Sequence, residues 1–165
     1  MITRLSKAAM VLALSSFAFL VSFNNITDYG SNFAFVQHVF SMDTTFSGNA
    51  AMYRAISNPT LWHAGYWLII AGESLTCILL LIGGFKLLGA RNQSAQAFND
   101  AKDWTIAGAT LGFLVWFVGF MVVGGEWFLM WQSQTWNGQD AAFKFYMSIL
   151  AVLIFVMQPE RELKS

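Results

Sequence analysis

Apolar positions gather into four long runs, residues 5–23, 61–88, 104–130 and 141–157, and polar residues collect between them. A helix crosses roughly 30 Å of hydrocarbon with about 20 apolar residues, so each run reads as a membrane span, the last near the short limit. The stretch 24–60 between the first two is long for a connection without structure of its own. Within it Phe33, Val36, Val39 and Phe40 recur at helical spacing, which predicts a short amphipathic helix over 32–42 lying on the outer surface or over the bundle. Asp43-Thr44-Thr45 then stops that helix or starts a second short one toward Tyr53 and Ile56. Asn58-Pro59 is a helix-start signal, with Asn suited to the cap and Pro to the first turn. Asp100 or Asp103 suits the cap of the third span, and Asp140 opens the fourth with Lys144 one turn on as its partner. Pro159 closes the fourth helix.

Composition agrees with a membrane chain. Of the 165 residues 56% are hydrophobic and only 11% charged, against about 25% charged in soluble domains. The net charge of zero hides an asymmetry. Arg4, Lys7, Lys86, Arg91, Lys102, Arg161 and Lys164 fall on one side of the proposed membrane and only Arg54 and Lys144 on the other. The positive-inside rule then places both termini in the cytoplasm, and Trp62, Tyr66, Trp67, Trp127, Trp131 and Trp136 form an outer aromatic belt. Residues 1–23 also have the basic start and apolar core of a signal peptide, but Ser16-Phe17-Ala18 is a poor cleavage site, and the stretch is read as the first span. Cys77 is the only cysteine, so no intramolecular disulfide forms.

The residue that demands an explanation is Glu73, inside WLIIAGESLTCILLLIGG. A charged residue at a helix centre costs about 2.5–3.5 kcal/mol on insertion scales, so it is expected to face protein. His63, Tyr66, Ile70, Glu73 and Cys77 fall within an arc of roughly 80° on the second span. Two roles fit: a buried polar pin fixing helix packing, paired with Arg54 from the loop, or a proton-carrying or ligand-holding carboxyl. Glu126 lies closer to a membrane face, where an interfacial partner in the outer loop suffices. His38 and Asp43 mark a second candidate site in the loop. The spacing of His38 and His63 fits no haem or metal motif, no nucleotide loop or placed nucleophile is present, and no cofactor is expected. Gly108, Gly112 and Gly119 predict a small-residue face for close helix packing, within the chain or between copies.

FVQHVFSMDTTF (Phe35 to Phe46), YRAI (Tyr53 to Ile56) and WLIIAGE (Trp67 to Glu73) together resemble a bacterial family of predicted small integral membrane proteins of unknown function. The resemblance covers nearly the whole chain and implies a four-helix inner-membrane protein; it implies no activity. The silhouette of four spans with a long first outer loop is similar to claudin-like proteins too, whose loop carries a cysteine pair that is missing here. The expectation is therefore an all-α membrane protein, one four-helix transmembrane domain over 1–165 with cytoplasmic termini in the bacterial inner membrane. A non-enzymatic structural or interaction subunit, self-assembling or serving a larger membrane complex, is the favoured function. Binding or transport of a quinone, lipid or proton-linked substrate at the outer half, through Glu73 and its neighbours, is the alternative.

Overall fold

The computed structural model describes residues 1–162; Lys164, counted above with the basic residues, lies outside them. It is all-helical, and four helices are long and apolar enough to cross a membrane. Helix α1 (Ile2–Thr27) leads almost directly into the short α2 (Tyr29–Ser41). Helix α3 (Pro59–Ala90) follows the loop, then the one-and-a-half-turn α4 (Ala95–Asp100), α5 (Asp103–Phe113) with its continuation over Leu114–Trp127, and α6 (Gln139–Met157).

Several of these bounds follow from local chemistry. The Asn58 side chain accepts from Thr60 N–H and Pro59 occupies the first turn, so α3 starts where its signal stands. Lys144 reaches Asp140 at 2.7 Å on the exposed start of α6. Gln158 is extended ahead of Pro159, which disfavours helical backbone at the residue before it. Others depart from expectation. The first span runs four residues past Phe23, taking Asn24 and Asn25 into α1. The predicted second loop helix is only a 3-10 turn, Met52–Arg54. Neither Asp100 nor Asp103 caps a helix with its side chain; Ser94 caps α4 instead, accepting from Ala97 N–H.

The helices form a ring in the order α1, α3, α5, α6, with α1 lying along α3 over the greatest length and meeting α6 over the shortest. Two close approaches are made possible by glycine. A Cβ on Gly83 would lie 2.7 Å from the backbone nitrogen of Thr105, and one on Gly108 would lie 2.9 Å from that of Leu80. A core of Val11, Leu80, Leu87, Ala109, Trp116, Ile149 and Val156 fills the ring's middle.

From Leu114 to Trp127 the helix winds in π turns, each hydrogen bond skipping one more residue than in an α-helix. That winding rotates successive faces out of α-helical register. Gly108 and Gly112 pack inward, the latter against Thr76 and Ile149, whereas a Cβ on Gly119 would meet nothing within 4 Å. The expected continuous Gly108, Gly112, Gly119 face is thus broken after its second member.

One end of the bundle, the terminal end, holds the start of α1, the end of α6 and the α3–α4–α5 connection. The opposite end, the loop end, holds α2, the 42–58 loop and the 128–138 loop.

Candidate functional site

At the loop end α2 lies across the ring as a roof. Phe33 stacks on His63 with ring centres 4.1 Å apart, and the Tyr29 hydroxyl pairs with His63 Nδ1 at 2.7 Å, tying the roof to the start of α3. At its other end His38 stacks on Trp136 at 4.6 Å and its Nδ1–H donates to the Asp43 carboxylate at 2.8 Å. The Thr44 hydroxyl donates to Ser133 Oγ, and Phe46 N–H donates to Gln132 Oε1, which stitches the two loops together. His38 and Asp43 therefore act as a clasp on the roof.

Beneath that roof is a cleft of about 430 Å³ where α1 and α6 meet least. Its polar rim includes Ser31, Asn32, Thr135 and Asn137, and its walls include Phe35, Trp116, Phe120 and Phe145. The π-wound segment brings both Trp116 and Phe120 to this wall. Pockets of about 300–1,000 Å³ lined mostly by apolar groups with few polar ones are the usual form of small-molecule sites.

Glu73 lines the cleft and is 2% exposed. Its Oε2 accepts from Asn25 Nδ2 at 2.7 Å, and Oε1 has no hydrogen-bond partner among the described residues. An ionised carboxylate can accept about four hydrogen bonds, so most of its capacity is unspent. The Tyr66 hydroxyl donates to the Asn25 carbonyl at 3.0 Å, which occupies an acceptor in the last turn of α1 and holds Asn25 in place. Because Asn25 sits two residues from the end of α1, Glu73 belongs to the loop-end part of the bundle, not its middle.

The stripe read on α3 divides accordingly. Tyr66, Ile70 and Glu73 are buried and face the interior, Cys77 is half-buried against Ser15, and His63 is exposed beneath Phe33. Arg54 is not the partner of Glu73. Its guanidinium lies 4.9 Å over the Trp127 ring and donates to the carbonyls of Glu126 and Trp127, so the expected ion pair is replaced by an aromatic and backbone contact. Glu126 is exposed at the edge of the bundle, away from the cleft lining.

The residue missed by sequence reading is Asn25. Its signal is an asparagine pair at the end of an apolar run, which run length alone ends at Phe23 and so leaves to the loop. Among the described residues no group of three or more His, Cys, Asp or Glu could hold a metal.

A second buried polar cluster lies at the terminal end. Arg4, Lys7 and Lys102 are 1%, 1% and 3% exposed. Arg4 donates to Glu160 and to the carbonyls of Arg91, Gln93 and Arg161; Lys7 donates to Glu160 and Gln158; Lys102 donates to Asn99 and Gln158. Burial alone would raise the Glu160 carboxyl, but the Lys7 and Arg4 cations outweigh it and hold it below the usual range.

Comparison with known proteins gives a family and no activity. No curated protein and no solved structure matches the chain. A family model described as "Predicted small integral membrane protein (DUF2165)" matches residues 3–159, nearly the entire sequence. With four apolar helices packed as one membrane-embedded bundle, the chain belongs to that family of small integral membrane proteins.

Proposed function

We propose that this protein binds a small amphipathic molecule in the cleft under α2, its polar end seated on Glu73 and its apolar part against the aromatic wall. The observation that carries the reading is the buried carboxyl with one unspent oxygen lining a cleft of about 430 Å³. A carboxyl serving only as a packing pin is expected to have its hydrogen bonds filled by protein.

Binding is favoured over conduction because the layer beyond Glu73 is filled. Thr76 is fully buried and bonded to its own helix, Leu80 is 1% exposed, and Gly108 and Gly112 close against them. A transported ion needs polar groups across this layer. The cleft is a blind site. Gly108 and Gly112 are spent on packing inside the chain, which leaves them no part in holding a second copy.

In this reading the four helices are a single domain, and the terminal end with its basic residues faces the cytoplasm of a bacterial inner membrane, as the positive-inside rule requires. The cleft then opens toward the outer leaflet and periplasm. The test is native mass spectrometry of the full chain extracted in mild detergent, beside an Ala141→Trp variant. Ala141 is an exposed residue on the cleft rim, and tryptophan there blocks the opening without touching Glu73. A bound small mass on the wild type that is absent from the variant supports the reading; identical spectra overturn it.

A further inference from the structure

We infer that the molecule taken by the Glu73 cleft is an organic cation, a protonated primary or secondary amine carrying an apolar body. The inference rests on the binding reading above and adds the ligand's charge.

Three observations converge on it. First, among the described residues Glu73 is the only charged one of the cleft lining, no Lys, Arg or His lines it, and no cation pairs with Glu73. Burying a carboxylate without a counter-ion is costly, and removing that deficit is the largest electrostatic gain a ligand can bring here. Second, the unsatisfied groups are acceptors. Oε1 of Glu73 is free among the described residues, and Asn25, whose Nδ2 is committed to Glu73, presents its side-chain oxygen with no donor. A ligand N–H fills such acceptors, whereas a quinone or carboxylate would bring more acceptors to them. A quaternary ammonium, with no N–H, would leave them unfilled. Third, the walls are aromatic, Trp116, Phe35, Phe120 and Phe145 among them, and aromatic rings accommodate an apolar body and attract a cation set over their faces.

The wider field acts in the same direction. The loop end carries five acids, Asp28, Asp43, Glu73, Glu126 and Asp140, against the bases Arg54 and Lys144. Lys144 is paired with Asp140, and Arg54 lies on Trp127. A net negative rim concentrates cations at the opening and disfavours anions. An inorganic divalent ion does not fit, because Ca²⁺ takes about 6–8 oxygen ligands and the cleft offers one carboxyl.

The experiment uses the full chain in mild detergent and three probes of one shape: 2-phenylethylamine, 2-phenylethanol and phenylacetate. Quenching of the tryptophan emission, to which Trp116 and Trp136 in the lining contribute, reports binding. The amine is expected to bind at least tenfold more tightly than the alcohol, phenylacetate more weakly still, and Glu73→Gln is expected to remove the amine's advantage. Ala141→Trp, which leaves Glu73 intact, should abolish binding of both amine and alcohol if Glu73→Gln fails to fold. Alcohol or carboxylate binding as tightly as amine overturns the cation assignment and leaves the cleft reading standing. Failure of every probe overturns it too; the native mass comparison then decides the cleft reading separately, a cleft-dependent bound mass preserving it and identical spectra ending it.

Discussion

The terminal end and the loop end each bury an acid, and they treat it in opposite ways. Glu160 is held by two cations, Lys7 at 2.6 Å and Arg4 at 3.4 Å, and the surrounding donors are spent on backbone carbonyls of the C-terminal segment and the α3–α4 connection. Glu73 is held by one amide and lines a cleft. A saturated cluster fixes geometry; an unsaturated carboxyl beside space has bonding left for something else. Polar burial in a membrane protein is thus not itself a functional sign. Space adjoins both, since Lys7 and Glu160 line a cavity of about 600 Å³ at the terminal end; what separates the two ends is whether the acid has cations of the chain to hold it.

The comparison breaks most readily at Glu160. Glu160→Ala leaves Arg4 and Lys7 buried without the acid they pair with, and is expected to cost about 3–5 kcal/mol, read as the shift in a denaturant or thermal unfolding curve in detergent. A loss under about 1 kcal/mol would mean the cluster is not a latch. Acid should act on the same residue. Its folded pKa is depressed, so its contribution is fully present above the unfolded value near about 4.3 and is lost as pH falls through the folded value. The wild-type melting temperature is expected to drop below about pH 4, and Glu160→Gln to weaken that dependence.

A third buried polar group sharpens the contrast with a smaller effect. Thr105 Oγ1 is buried with no partner among the described residues and lies against Gly83, with no cleft beside it. Here an unspent hydrogen bond has no room for a ligand. Thr105→Val should raise stability by about 1 kcal/mol by removing that desolvation penalty, and a loss of similar size would show the hydroxyl to be bonded after all.

The smallest stability change belongs to Glu73. Glu73→Gln keeps the acceptor for Asn25 and the side-chain shape, so the ligand-free protein is expected to change by less than about 1 kcal/mol in either direction. Calorimetry of the two proteins stripped of small molecules would show it; a loss comparable with that of Glu160→Ala would make Glu73 a structural pin.

Much of the architecture is legible in the sequence because it rests on local signals. The four spans follow from apolar run length, the start of α3 from Asn58-Pro59, and the short roof helix from the spacing of Phe33, Val36, Val39 and Phe40. The site is less so. Glu73 stands out as a carboxylate in an apolar run, and Tyr66 shares its face, but Asn25 lies 48 positions away and its role depends on α1 continuing past Phe23. Arg54 offered a plausible charge partner, and nothing local reveals that Trp127 and two carbonyls hold it instead. The π winding after Phe113 has no composition signal, yet Gly119 leaves the packing face within it. The sidedness rule places Arg4 and Lys7 on one side of the membrane but reads position and not burial, so it does not show that both are buried.

The most direct measurement is a high-resolution density map of the full chain extracted in mild detergent, inspected within about 4 Å of the Glu73 carboxyl, the range of ion pairing. The account predicts non-protein density in the cleft with an N–H-bearing end against Glu73 Oε1. A cleft closed by protein side chains, with Oε1 bonded to one of them, would contradict it and return Glu73 to the role Glu160 has at the other end.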